Sequence, residues 1–154
     1  MDSPVFYSTT FTSLLDTDTV AEATRRMLDD RVSDMPVIDA SGALVGLFRL
    51  DRLYAALLPK AALLGDGLSD LAFVSDTLGQ LRAKMREVER RPVREFKVMP
   101  AQVVHPETTP VQIILLLHHG ANNIPVVSPD TGKLVGMVSA RDVLAALSEE
   151  GKGA

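Results

Sequence analysis

Ile124-Pro-Val-Val-Ser-Pro-Asp-Thr-Gly-Lys-Leu-Val-Gly-Met-Val-Ser139-Ala-Arg-Asp142-Val-Leu-Ala-Ala-Leu147 is the stretch whose reading decides the fold. Pro125 opens the β-branched pair Val126-Val127. Ser128-Pro129-Asp130-Thr131-Gly132 follows, dense in residues that favour chain reversal, each for its own backbone reason. Leu134 to Val138 is a second short apolar run, and Ser139-x-x-Asp142 then precedes an apolar-periodic segment, which is a helix-start signature. Strand, tight turn, strand and capped helix fill the whole stretch.

Working outward, the same plan occurs once more. Met35-Pro36-Val37-Ile38, the turn Asp39 to Gly42, the run Leu44 to Phe48 and the helix segment Leu53 to Leu57 repeat it in order. Gly46 precedes Gly136 by 90 residues and Pro36 precedes Pro125 by 89, so the second turn is one residue longer. At the 90-residue offset Gly42, Leu44, Val45, Gly46, Ala55, Ala56 and Leu57 meet identical residues in the later copy. Self-similarity over such a distance sets the architecture before any local reading does.

On these residues the chain resembles a tandem pair of CBS (cystathionine β-synthase) domains, a Bateman module. The resemblance is carried by Ile124-Pro125-Val126-Val127, by Gly136-Met-Val-Ser139-Ala-Arg-Asp142, and by a leading helix before each proline. It covers nearly the whole chain apart from a long middle segment. The fold expected is α+β: two βαββα CBS repeats packed sheet to sheet with pseudo-two-fold symmetry, and an extra linker helix between them. The expected division is repeat 1 over 1–59, a helical linker over 60–97, repeat 2 over 98–148 and a frayed tail over 149–154.

Composition narrows the function. The chain has no cysteine, which removes disulfides, thiolate chemistry and thiolate-bound zinc. A net charge of −4 gives no reason to expect nucleic acid. No apolar run approaches the roughly 20 residues of a membrane span, and Met1-Asp-Ser-Pro4 does not read as a signal peptide. A cytoplasmic location is expected. His118 and His119 are adjacent and point to different faces of a helix, so they and His105 are poorly placed to share a metal. No Gly-rich phosphate loop, nucleophile elbow or paired carboxylates at catalytic spacing occur, so no enzyme activity and no required cofactor are expected.

Taken in order, Val5-Phe6-Tyr7 and Phe11 to Leu15 read as an extended lead-in with a short strand. Val20, Ala23, Thr24, Met27 and Leu28 recur at helical spacing, and that helix must end at or before Ser33-Asp34 because Pro36 follows. Gly65-Asp66-Gly67 punctuates the linker, and Leu78, Leu81, Met85 and Val88 predict a helix after it. From Arg82 to Lys97 there are seven basic and three acidic residues, which reads as a solvated helix face or as a patch for a phosphate tail or an acidic partner. Gln102-Val103-Val104 predicts another short strand. Pro110 suits a first helical turn, and Val111 to Leu117, apolar nearly all round, predicts a well-buried helix.

The resemblance implies that each cleft between the repeats holds an adenosine-containing ligand, such as AMP, ADP, ATP, S-adenosylmethionine or NAD. In the second repeat Asp142 would accept from both ribose hydroxyls, a bond to a charged group contributing about 1.5–3 kcal/mol. Ser139 lies at a helix N-terminus, which favours phosphate, and Arg141 would reach a phosphate from the same turn. Gln102, Val103 and Val104 would offer backbone groups and apolar walls to adenine, with Ile124 and Pro125 closing the opposite face. Ser139 and Asp142 also suffice as a capping box with no ligand at all.

The first repeat departs from the pattern. Arg49 stands where Ser139 would be and Arg52 where Asp142 would be, so at most one good adenosine site per chain is expected. Arg49 and Arg52 read as exposed residues, or as a site for phosphate or an acidic partner. The function expected is a regulatory CBS pair that binds an adenosine derivative and signals to an effector protein, and the resemblance further implies a disc-like homodimer. The alternative is a ligand-free interaction and dimerisation module. Nucleic-acid binding through residues 82–97 is a third and weaker reading.

Overall fold

The described α-helices begin where the sequence supplies an oxygen acceptor, with one exception. The computed structural model describes residues 7–59, 77–100 and 102–148. Expectations placed on Val5-Phe6, on Gly65 to Gly67 and on the tail 149–154 lie outside them. The first repeat holds β1 (Leu14–Leu15), α1 (Val20–Asp30), β2 (Asp34–Ile38), β3 (Leu44–Arg49) and α2 (Leu50–Leu57). Next come α3 (Leu78–Glu89) and a 3-10 turn (Val93–Glu95). The second repeat holds α4 (Pro110–His118), β4 (Asn123–Val127), β5 (Leu134–Ser139) and α5 (Ala140–Ser148). Thr19 caps α1 through the Glu22 amide, and Thr77 with Gln80 and Thr109 with Gln112 form reciprocal capping boxes on α3 and α4. Among the described α-helices only α2 starts without a side-chain cap, because its N-cap residue is Arg49.

β1 runs parallel to β2, and β2 antiparallel to β3. In the second sheet β4 and β5 pair antiparallel, and Val104 stands where β1 stands in the first. Its amide donates to the Pro125 carbonyl at 3.0 Å and its own carbonyl accepts from Val127 at 2.8 Å. The strand expected at Gln102-Val103-Val104 is therefore a single bridge. Both hairpins carry a register shift at the same place, between Val37 and Ile38 and between Val126 and Val127. In the first turn Ser41's hydroxyl, helped by the amides of Ala43, Ser41 and Gly42, holds the Asp39 carboxyl below its ordinary range.

The two repeats are stitched together by backbone. Leu44 donates to the Gly132 carbonyl at 3.1 Å and Leu134 donates to the Gly42 carbonyl at 3.0 Å, so the hairpin turns pair across an approximate two-fold axis. Asn123 Nδ2 donates to Asp34 Oδ1 at 2.8 Å across the same axis. The lead-in of each repeat also crosses to the other repeat's sheet. Ser8 exchanges hydrogen bonds of 2.8 and 3.0 Å with Met137 on β5, and Val98 exchanges bonds of 2.7 and 2.8 Å with Leu47 on β3. These crossings explain the glycines at the 90-residue offset. A Cβ on Gly136 would overlap the Tyr7 ring and come within 2.9 Å of the Ser8 carbonyl oxygen; one on Gly46 would lie 3.0 Å from the Val98 carbonyl oxygen.

Each repeat has its own core. The first gathers Leu14, Val20, Ala23, Met27, Met35, Val37, Phe48 and Leu53, with Val88 of α3 and Val93 of the 3-10 turn. Fully burying such a side chain contributes about 1.5–3 kcal/mol. The chain after α3 is held there by backbone too: Val20 donates to the Arg91 carbonyl at 2.9 Å and Val93 to the Asp18 carbonyl at 2.8 Å. The second core is smaller, built from Val104, Ile113, Ile124, Val126, Val138 and Val143. The expectation of a well-buried helix over Val111 to Leu117 is not met. Ile113 alone is buried, while Val111 is 76% exposed and Leu115 52%. A helix buries only the side it turns to its sheet, and among the described residues no helix lies over α4 and α5 as α3 lies over α1 and α2.

Candidate functional site

Two clefts flank the contact between the repeats. One, of about 370 Å³, is lined by Asp34, Leu47, Arg49, Pro100, Gln102, Leu116, and His119 through Ile124. The other, of about 320 Å³, is lined by Ser8, Thr10, Phe11, Thr12, Asp30, Val32, Asp34, Met35, Pro36, Asn123, Met137, Ser139 and Asp142. The walls correspond position by position across the pseudo-two-fold axis: Leu47 with Met137, Arg49 with Ser139, Pro100 with Thr10, Gln102 with Thr12, and Ile124 with Met35. Asp34 and Asn123, bonded to each other on the axis, line both clefts.

In the second cleft, β5 delivers Ser139 and the first turn of α5 delivers Asp142. The Ser139 amide and hydroxyl both donate to Asp142 Oδ2, at 2.9 and 3.0 Å, and the Asp142 amide donates to Ser139 Oγ at 3.2 Å. This is a complete capping box, and it leaves Oδ1 of Asp142 without a partner among the described residues. Both residues are half-buried. The first repeat supplies the apolar Val32, Met35 and Pro36 with the carboxylates Asp30 and Asp34, and the crossing lead-in supplies Thr10 to Thr12. Placed polar groups beside apolar side chains are the arrangement of a small-molecule site.

The eight residues singled out from the sequence do not gather in one place. Ser139 and Asp142 share the second cleft. Arg141 is exposed on the outer side of α5 and does not line it. Gln102 and Ile124 line the opposite cleft, together with Arg49. Val103 is exposed at 42%, and Val104 and Pro125 are buried in the second core. Sequence reasoning missed the walls Thr10, Phe11, Thr12, Val32, Met35 and Pro36, of which Thr12, Met35 and Pro36 are the first-repeat counterparts of the chosen Gln102, Ile124 and Pro125. The internal repeat carries the signal that would have found them: once each lead-in crosses over, the wall facing Asp142 must come from the other copy.

In the Arg49 cleft the guanidinium of Arg49 pairs with Asp51 at 3.1 Å on the exposed side of α2, and His119 lies at the C-terminal end of α4. Arg52 lies outside this cleft, beside Glu95, Phe96 and Lys97. Among the described residues no group of histidines and carboxylates is arranged to hold a metal ion, and no helix is long and apolar enough to cross a membrane.

The family model for the CBS domain matches the chain twice, over residues 3–59 and 93–149. No curated protein matches it. Among solved structures the chain is similar to the CBS-pair protein CBSX2 from Arabidopsis thaliana, at 21% identity and TM-score 0.68, covering 92% of this chain and 90% of that one. CBSX2 in complex with AMP is similar at 21% identity and TM-score 0.65, covering 92% of each chain. The CBS domain of a CBS domain containing membrane protein from Sphaerobacter thermophilus is similar at 21% identity and TM-score 0.65, covering 92% of this chain and 84% of that one. At these identities the likeness is one of fold.

Proposed function

This chain belongs to the CBS-domain family, and from that premise we propose that it is a non-catalytic regulatory module that takes an adenosine-containing ligand in the Ser139 cleft. The observation that carries the reading is Oδ1 of Asp142, which has no partner among the described residues, in a cleft that also holds the apolar side chains Val32, Met35 and Pro36 of the first repeat. The carboxylate would accept from the ribose hydroxyls while the base lies against Val32, Met35 and Pro36. A solved relative of similar fold binds AMP, which supports the same ligand class.

Because the walls come from both repeats, a ligand here would favour one packing of the repeats over another, and a partner protein would read that difference. The proposal includes self-association through the apolar side of α4 and α5, where Val111, Ile114, Leu115, Leu144 and Leu147 are exposed.

Thermal melts with AMP, ATP, S-adenosylmethionine and NAD test the reading. A ligand at 100 times its dissociation constant adds about 2.7 kcal/mol. The Ser139→Ala, Asp142→Ala double variant loses its cap, at about 1 kcal/mol, and should also lose the ligand-induced shift. A shift of equal size in the variant would place the ligand elsewhere. One observation favours a second reading, a ligand-free interaction module: the capping box already gives Ser139 and Asp142 a structural role. Absence of any shift with all four ligands selects it.

A further inference from the structure

The two clefts correspond in position and differ in charge. Among the described residues the Ser139 cleft is lined by three carboxylates, Asp30, Asp34 and Asp142, and by no lysine or arginine. Each of the three accepts a neutral hydrogen bond, from Thr12 Oγ1 at 2.7 Å, Asn123 Nδ2 at 2.8 Å and Ser139 Oγ at 3.0 Å. None forms an ion pair among the described residues, although Arg49 is the cross-strand neighbour of Asp34 and Arg31 follows Asp30 in the chain. At the same position the Arg49 cleft presents a guanidinium, and Asp34 is its one carboxylate.

We propose that the Ser139 cleft selects adenosine derivatives whose 5′ substituent carries no phosphate, being either uncharged or cationic. This deepens the adenosine reading of the cleft and rests on it. Asp30 is the last residue of α1, where the negative end of the helix dipole adds to its charge. Asp34 follows directly at the start of β2. The feature that favours phosphate is the N-terminus of α5, but Asp142 lies in front of it and already takes the Ser139 amide and hydroxyl. The neighbouring cation, Arg141, is exposed outside the cleft. A phosphate in this slot would be repelled by three carboxylates, with no lysine or arginine among the described lining residues to draw it.

Isothermal titration of the full chain with adenosine, S-adenosylmethionine, AMP and magnesium-free ATP tests the proposal. At low ionic strength the two phosphate-free ligands should bind at least about tenfold more tightly than AMP, and AMP more tightly than ATP. The gap should narrow in high salt, as the screening length falls from about 10 Å at 0.1 M to about 3 Å at 1 M. Asp30→Asn keeps an acceptor for Thr12 and removes one charge, so it should raise the affinity for AMP relative to adenosine several-fold. AMP or ATP binding as tightly as adenosine overturns the charge selection and leaves the adenosine reading standing. An affinity ratio unmoved by Asp30→Asn overturns it as well. No binding by any of the four removes both.

Discussion

Gly136 and Gly46 are one position seen twice, and each marks the place where a lead-in strand lies against the other repeat. At Gly136 an added methyl meets the Tyr7 ring and the Ser8 backbone, and backbone cannot swing aside as a side-chain end can. Gly136→Ala should therefore loosen the lead-in from β5 and cost about 1–3 kcal/mol, the usual range for overpacking. Gly46→Ala should cost less, since its nearest neighbours include the flexible Lys97 side chain. Urea unfolding of the two variants, compared at equal slope, checks the order. The repeat of these glycines was legible in the chain. Their reason was not, because it depends on which strand crosses to which sheet.

At the scale of elements, caps and turns follow local rules. Thr19, Thr77, Thr109 and Ser139 each start a helix, and each does so through contacts within three residues. α2 is the exception, and Arg49→Ser should give it the cap it lacks. The expected gain is about 1 kcal/mol, read as a higher urea midpoint, because the exposed pair of Arg49 with Asp51 contributes little. A midpoint unchanged or lowered would mean that Arg49 does more than occupy that position. Faces of helices were less legible than their ends. In α1 the periodic set included Leu28, yet Leu28 is 79% exposed while Val20, Ala23 and Met27 are buried. In α4, apolar nearly all round, the sequence could not say which side meets the sheet and which stays open.

At the scale of the molecule, the asymmetry between repeats is the main feature. α3 and the 3-10 turn add Val88 and Val93 to the first core, with Met85 and Phe96 packed against it. Nothing among the described residues does the same for the second. If that open side is the surface where two copies meet, the chain should sediment as a dimer, and Leu115→Lys with Leu144→Lys should sediment as a monomer with its melting temperature nearly kept. A wild-type chain that stays monomeric as concentration rises, or a variant that stays dimeric, would sink this assignment.

By itself the sequence determined the duplicated strand, turn, strand and helix, the longer second turn, and the capping pair Ser139 and Asp142 at the start of α5. All of these rest on interactions between near neighbours in the chain, or on a pattern repeated along it. Only the tertiary structure decided that Gln102 and Ile124 face Arg49, while Thr10, Thr12, Val32, Met35 and Pro36 face Asp142. The physical reason is the crossing of each lead-in to the opposite sheet through paired backbone hydrogen bonds. Backbone amides and carbonyls are the same in every residue but proline, so their choice of partner leaves almost no trace in the side chains until the two repeats are placed together.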